Sequence, residues 1–254
     1  MKSLKLTFAV AACIAYTPVF AQAQSPSPDA WQFELTPYLW AAGFSGWTRV
    51  GARTPAIKFN ADFSDVWEHL NFGAMGSFEA RRGRWAIVFD AMYVKLSRTS
   101  DPLANGQLGT AKLAGDETIL QLAGAYRVLD SPATPVDLLA GVRFTDLYAG
   151  LSFSPSALLP AGPSRSNSTN WTDGFVGVRA AYAFSEKWSV VGYADAGTGG
   201  TRYSWQLYGG VNYNFSKTVV GKLGYRILAQ NYDNPNFLYN VRTVGLMAGA
   251  GIRF

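Results

Sequence analysis

The chain has 254 residues, 15% charged, 48% hydrophobic and 15% aromatic, with 26 glycines and a formal charge of +5. Charge well below the ~25% of an ordinary soluble protein, together with abundant aromatics, excludes intrinsic disorder. So much Gly, Trp, Tyr and Phe also disfavours a helical bundle, and without a Lys/Arg run nothing points to nucleic acid as a partner.

Residues 1–21 read as a secretory signal. Lys2 and Lys5 form a positive start, Leu6 to Val19 is mostly apolar, and small residues at 19–21 or 21–23 offer cleavage points. Removing two lysines lowers the formal charge from +5 to +3. Residues 22–30 then form a short periplasmic lead-in. Val10-Ala11-Ala12-Cys13 resembles the lipobox of bacterial lipoproteins, but apolar residues continue past it to Phe20, which favours ordinary cleavage. Cys13 is the single cysteine, so the mature chain has no disulfide and no Cys-based metal site. After residue 21 no run reaches the ~20 apolar residues of a membrane helix. An exported chain of this kind that spans a membrane does so as a closed barrel.

From residue 31 to 254 the pattern has period two. Ten strands are expected at 31–43, 70–81, 85–97, 116–128, 136–151, 171–184, 188–197, 202–215, 218–230 and 237–254, each meeting the ~9–11 residues that a tilted strand needs to cross a bilayer. The first is the least regular. Residues 44–69 could hold a further hairpin above the membrane, closed by one helical turn over Asp65 to Leu70 with Ser64 as its cap. Eight or twelve strands are therefore alternatives to ten. In 70–81, Leu70, Phe72, Ala74, Gly76, Phe78 and Ala80 alternate with Asn71, Met75, Ser77, Glu79 and Arg81. In 117–128, Leu120, Leu122, Tyr126 and Val128 oppose Glu117, Gln121 and Arg127. In 202–215, Tyr203, Trp205 and Leu207 oppose Ser204, Gln206 and Tyr208.

Connections alternate between short turns (82–84, 130–135, 185–187, 216–217) and longer or more polar loops, as in outer-membrane barrels. An even strand number places both termini on the short-turn, periplasmic side. Trp85, Tyr182, Phe184, Trp188, Tyr213 and Phe215 fall on the apolar face beside the short turns, where an aromatic girdle belongs. A soluble β-sandwich would alternate too, but has no reason to ring one end with aromatics.

The last strand ends in Phe254 with apolar residues at every second position before it. It resembles the signal read by the barrel assembly machinery of Gram-negative bacteria. The whole mature chain resembles the small outer-membrane barrels grouped with OmpA, OmpX and OmpW. Pro37-Tyr38-Leu39-Trp40, Asn71 to Arg84 and Asp90 to Ser97 are similar to a poorly characterised proteobacterial porin-like family. The resemblance implies an all-β, transmembrane, antiparallel up-and-down barrel in the outer membrane, with ten strands where OmpA and OmpX have eight.

If the apolar face meets lipid, parity assigns to the lumen the acids Glu34, Glu79, Asp90, Glu117, Asp137, Asp173 and Asp195. The lumenal bases are then Arg81, Arg127, Arg143, Arg179, Lys222, Arg226 and Arg253. Seven acids face seven bases, which suggests ion pairs filling a narrow interior rather than a ring of one sign. Asp90, Arg143, Arg179, Asp195 and Arg226 count to a similar mid-barrel depth, as a salt-bridge plug or a constriction. Lys95 and Arg242 fall on the lipid face near the outer rim, where long side chains reach water.

Catalysis finds little support. His69, the single histidine, follows Glu68 at the mouth of a strand, and no serine or aspartate pair accompanies it. One histidine does not make a metal site, and no cofactor is implied. The expected role is passive: porin-like diffusion of small hydrophilic solutes, or membrane stabilisation if the interior is closed. The alternative is surface recognition through loops 44–69, 98–115 and 152–170. There Trp47, Arg49, Arg53, Lys58, Lys112 and Arg165 could meet lipopolysaccharide phosphates. Outer-membrane lipid and, during insertion, the assembly machinery are the expected partners of a monomer.

Overall fold

The computed structural model describes residues 30–51 and 55–254. The signal segment with Cys13, most of the 22–30 lead-in and Arg53 lie outside the described residues.

In chain order the elements are β1 (Gln32–Val50), β2 (Ile57–Ala61), α1 (Phe63–Glu68), β3 (Leu70–Arg82), β4 (Trp85–Thr99), β5 (Ala111–Leu129), β6 (Val136–Phe153), β7 (Ser164–Ala183), β8 (Trp188–Gly199), β9 (Tyr203–Asn214), β10 (Val219–Asn234) and β11 (Phe237–Arg253), with one 3-10 turn at Ala104–Gly106. All pairings are antiparallel. Every strand except β2 pairs with its neighbours around the wall, and β11 returns to β1 to close a ten-stranded barrel. β2 is the extra hairpin strand, held only on Phe44 to Thr48 of β1.

Closure abolishes the unpaired edges that lipid would not tolerate. The seam runs from Glu34↔Arg253 to Val50↔Phe237. Phe254 finishes it: its N–H donates to the Phe33 carbonyl and the Phe33 N–H donates to the Phe254 carbonyl, each at 3.1 Å. Gly245 sits in this seam, where a Cβ would lie 2.0 Å from the Ala41 carbonyl oxygen, so the close approach requires glycine.

The wall is inverted relative to a soluble protein. Leu35, Phe72, Ile87, Leu122, Val176, Leu223 and Leu246 are exposed outside, while Arg143, Thr145 and Asp173 are buried within. At the short-turn end Trp85 packs at a tilt against Tyr126 with ring centroids 4.7 Å apart, and Trp188 against Tyr213 at 4.6 Å. Phe33 lies 5.6 Å from Phe254 and continues the girdle across the seam. Gly83 makes the tight β3–β4 turn with φ of 54°, a conformation open to glycine.

Three details differ from the sequence expectation. Strands run further toward the long-loop end: β7 has 20 residues and β1 and β5 have 19 each. At ~3.3 Å per residue even a tilted strand of that length outreaches the ~25 Å apolar band, so 111–115 and 164–170 are wall rather than loop. A β-bulge between Leu70 and Phe72 turns Leu70 inward, against the expected outward placement. The helical turn starts at Phe63, and its cap is Asp62 rather than Ser64. The Asp62 carboxylate accepts from the Asp65 N–H at 3.0 Å, while the Ser64 hydroxyl donates to that carboxylate at 2.6 Å.

Candidate functional site

The fourteen charges expected in the lumen bond to one another, or to hydroxyls and amides, at three levels.

The lowest level lies at the short-turn end. Arg127, Asp137 and Arg179 are direct register partners across β5, β6 and β7. Asp137 accepts from Arg127 Nε at 2.9 Å and from Arg179 Nη2 at 2.8 Å. Arg81 Nη2 reaches it at 2.8 Å from β3. Glu79 takes Arg81 Nη2 at 2.9 Å and Arg179 Nη1 at 2.6 Å. Beside them Glu34 binds Lys222 and, at 2.8 Å, Arg253 Nε. Glu34 and Glu79 are direct register partners across β1 and β3. Two like charges so placed repel, and the surrounding cations hold them together.

The middle level is a belt that closes on itself. Gln121 Nε2 donates to Asp90 at 3.2 Å, and Arg143 donates through Nε and Nη2 to Gln121 Oε1 at 3.1 and 3.0 Å. Arg143 Nη2 also meets both oxygens of Asp195, at 2.8 and 2.6 Å. Gln206 Nε2 donates to Asp195 at 3.4 Å, and Arg226 donates to Gln206 Oε1 through Nε and Nη2 at 2.9 and 2.7 Å. Arg226 Nη2 then returns to Asp90 at 3.2 Å. The order Asp–Gln–Arg thus occurs twice around the ring. Each aspartate also receives a tyrosine hydroxyl, Tyr38 on Asp90 at 3.0 Å and Tyr193 on Asp195 at 2.6 Å. Each guanidinium lies over an aromatic ring, Arg143 over Phe175 at 5.1 Å and Arg226 over Trp40 at 4.8 Å. The acids and bases of this level cancel, two against two.

Directly above the belt Tyr38, Trp40, Ala42, Met92, Val94, Ile119 and Leu228 pack into an apolar layer with Leu70, Met75, Leu96 and Met247. A water-wide path through the barrel would leave the belt exposed. Instead the side chains of Arg143 and Asp195 have no solvent-accessible area, and Ile119 and Leu228 have 2% and 1%.

The upper level carries Glu117, which accepts from Tyr239 Oη at 3.0 Å, and Asp173, which accepts from Thr201 N and Oγ1 at 2.8 and 2.9 Å. Trp171 stacks on Tyr232 with centroids 4.4 Å apart, and Gln230 bonds Thr145 at 2.8 Å.

The balance expected from seven acids and seven bases is therefore true of the total and not of each depth. The lower level has five bases to three acids, and the upper has two acids that pair with hydroxyls. Arg179 also departs from its expected depth: it reaches down to Glu79 and Asp137 and takes no part in the belt. Gln121, Gln206, Tyr38, Tyr193, Trp40 and Phe175 complete the belt and were absent from the charge-based list. The signal for them was parity: all but Gln206 alternate on the same face as a lumenal charge of their own strand, and Gln206 opposes the outward Trp205 and Leu207.

Outside the lumen, Lys95 lies 4.0 Å from Asp116 on the outer wall and Arg242 lies over Trp205 at 5.7 Å. Arg49 pairs with Asp233 at 3.3 Å. Trp47 and Lys58 are register partners in the β1–β2 hairpin, and Lys112 and Arg165 sit on β5 and β7, so these four are strand residues rather than loop residues. His69 ends α1, and its Nδ1 donates to the Asp65 carbonyl at 2.7 Å, a local cap. Among the described residues no group of three His, Cys, Asp or Glu could hold a metal ion.

No protein-family model and no curated protein sequence matches the chain. Solved structures do. The outer membrane protease OmpT of Escherichia coli superposes with a TM-score of 0.51 at 11% identity, covering 92% of this chain and 99% of that one. The transport unit of the autotransporter AIDA-I of Escherichia coli gives 0.47 at 8% identity, covering 92% and 94%. The attachment protein Ail of Yersinia pestis gives 0.37 at 13%, covering 88% and 99%. At these identities the likeness is one of fold: the chain has the fold of Gram-negative outer-membrane β-barrels.

Proposed function

We propose that this protein is a closed outer-membrane barrel with a membrane-stabilising role, its short turns and termini facing the periplasm, and not a standing pore for hydrophilic solutes. One observation carries the reading: the belt of Asp90, Gln121, Arg143, Asp195, Gln206 and Arg226, capped by an apolar layer, spans the cross-section, and its Arg143 and Asp195 side chains have no accessible area. Porin-like diffusion needs a hydrated path that binds solutes weakly at several points. Here the polar groups at mid-depth are spent on one another. Breaking any one leaves a buried charge without its partner, so the closed state is its own lowest arrangement.

Phe254 supports an assembly role distinct from the lumen. Its backbone completes the β11–β1 seam while its ring stays exposed on the girdle, where an insertion machine could hold it.

The test is liposome swelling. Mature protein refolded into vesicles, with folding checked by its shifted mobility on unheated gels, is diluted into iso-osmotic small sugars. Folded protein that leaves the swelling rate at that of empty vesicles supports the closed barrel. Swelling that grows with protein content and falls with solute size supports diffusion and overturns it.

A further inference from the structure

Below the belt the interior widens into a cavity of about 850 Å³ that is lined down to the rim by Trp31 and Phe254. The sorting of charge by depth gives this cavity a chemical character. Its wall holds the whole lower level, five bases to three acids, and Lys217 at the rim adds a sixth base, so the surplus is three positive charges. The belt above is neutral and the two unpaired acids lie beyond it, so neither offsets the surplus. Outside the wall is hydrocarbon, in which an uncompensated charge is expensive. The cavity opens at the short-turn end, so the counter-charge is an anion that enters from there.

The donors point the same way. Arg81 is more than nine-tenths buried, and its Nη2 holds Glu79 and Asp137 while its Nη1 is buried with no hydrogen-bond partner. Arg127 spends Nε on Asp137, with Nη2 distant at 3.5 Å. Arg253 uses Nε on Glu34 and Nη1 on Asn214. The Arg127 and Arg253 forks are thus anchored at one side by an acid that fixes their orientation, with capacity left on the other, whereas Arg81 Nη1 has no surface open to the cavity and adds its charge alone. Planar guanidinium groups fixed in this manner suit a phosphate or sulfate better than a lysine does. A surplus of positive charge favours a dianion over a monoanion such as chloride.

We propose that this cavity is a binding site for a divalent oxyanion of the phosphate class, carried by a free solute or by a lipid headgroup, with Arg127 and Arg253 as its principal donors. The site is entered from the short-turn end and does not rest on the closed-barrel reading, since an anion can reach it whether or not the belt seals.

The experiment is a titration of the refolded mature chain in neutral detergent with inorganic phosphate above pH 8. Heat of binding and tryptophan fluorescence are followed, Trp31 lying on the cavity wall, with chloride at equal ionic strength as control. Saturable binding to phosphate and none to chloride is expected, weakened at least ~10-fold in Arg127→Gln and Arg253→Gln, as loss of a charge-assisted bond of ~1.5–3 kcal/mol predicts. Arg127→Lys keeps the charge and disturbs the fold least; it should bind more weakly than wild type and more tightly than Arg127→Gln. Repeating the titration in nanodiscs separates the two sources. Binding in zwitterionic discs that vanishes in phosphatidic acid discs, whose headgroup is a phosphate monoester, identifies a headgroup occupant, and equal binding in both identifies a free solute. A folded wild type with no saturable phosphate binding in detergent or either disc overturns the proposal, as does binding indifferent to Arg127→Gln and Arg253→Gln.

Discussion

Arg143→Ala is the most informative single change in the belt. Arg143 makes bonds to Gln121 through two nitrogens, to Ser204 at 3.2 Å, and to both oxygens of Asp195, and it lies over Phe175. Truncation leaves Asp195 buried with only Tyr193 and the long contact from Gln206. Removing one partner of a buried pair typically costs ~3–5 kcal/mol, most of it from the charge left behind. The geometry here is at the costly end, because neither side chain has any accessible area. With a urea slope of ~2–3 kcal/mol/M for a chain of this size, the unfolding midpoint in vesicles should fall by ~1–2 M. Replacing both partners, as Arg143→Met with Asp195→Leu, removes the stranded charge and should restore more than half of that loss. The assay is urea titration followed by tryptophan fluorescence in lipid vesicles. A single variant with an unchanged midpoint, or a double variant no better than the single, would refute the reasoning that the belt is held by this pair.

Two further expectations follow from the periphery. Lys95 and Asp116 stand 4.0 Å apart on the outer wall with the lysine half exposed, so Lys95→Ala should move stability by less than ~1 kcal/mol in the same titration. At α1 the Ser64 hydroxyl and then the Asp65 N–H hold the Asp62 carboxyl below its ordinary range. A carboxyl lowered on folding stabilises the cap above its unfolded value, and that contribution is lost as pH falls through the lowered value. Amide exchange in Phe63–Glu68 should therefore accelerate in acid below the ordinary carboxylate range. In Asp62→Ala it should already be fast at neutral pH and respond little to acid.

The barrel was legible because lipid imposes a strict rule: on the wall an apolar residue must alternate with a lumenal one. Parity alone placed Glu79 and Arg81 on one side of the wall and Phe78 and Ala80 on the other. The rule lapses where its cause lapses. Above the membrane both faces of a strand are wet, so 44–50 and 164–170 lost their alternation and read as loop although the strands continue. A single extra residue at the Leu70–Phe72 bulge reverses the faces without leaving a mark in composition. Partner choice across the lumen was hidden for another reason. The register neighbour of Arg143 is Asp173, yet Asp173 turns to Thr201 and Arg143 crosses to Asp195. That preference depends on the barrel's closed diameter, a property of all ten strands together. Gln121 and Gln206 shared the lumenal parity but carried no charge to draw notice.

The most direct test of the closed barrel is single-channel recording in a planar bilayer, comparing wild type with the Arg143→Ala, Arg226→Ala double variant. The belt accounts for the seal, so the wild type should be silent, and removing both guanidiniums should yield discrete, reproducible steps. Lys95→Ala, outside the lumen, should remain silent. Steady conductance from the folded wild type, unaltered by loss of Arg143 and Arg226, would contradict the account.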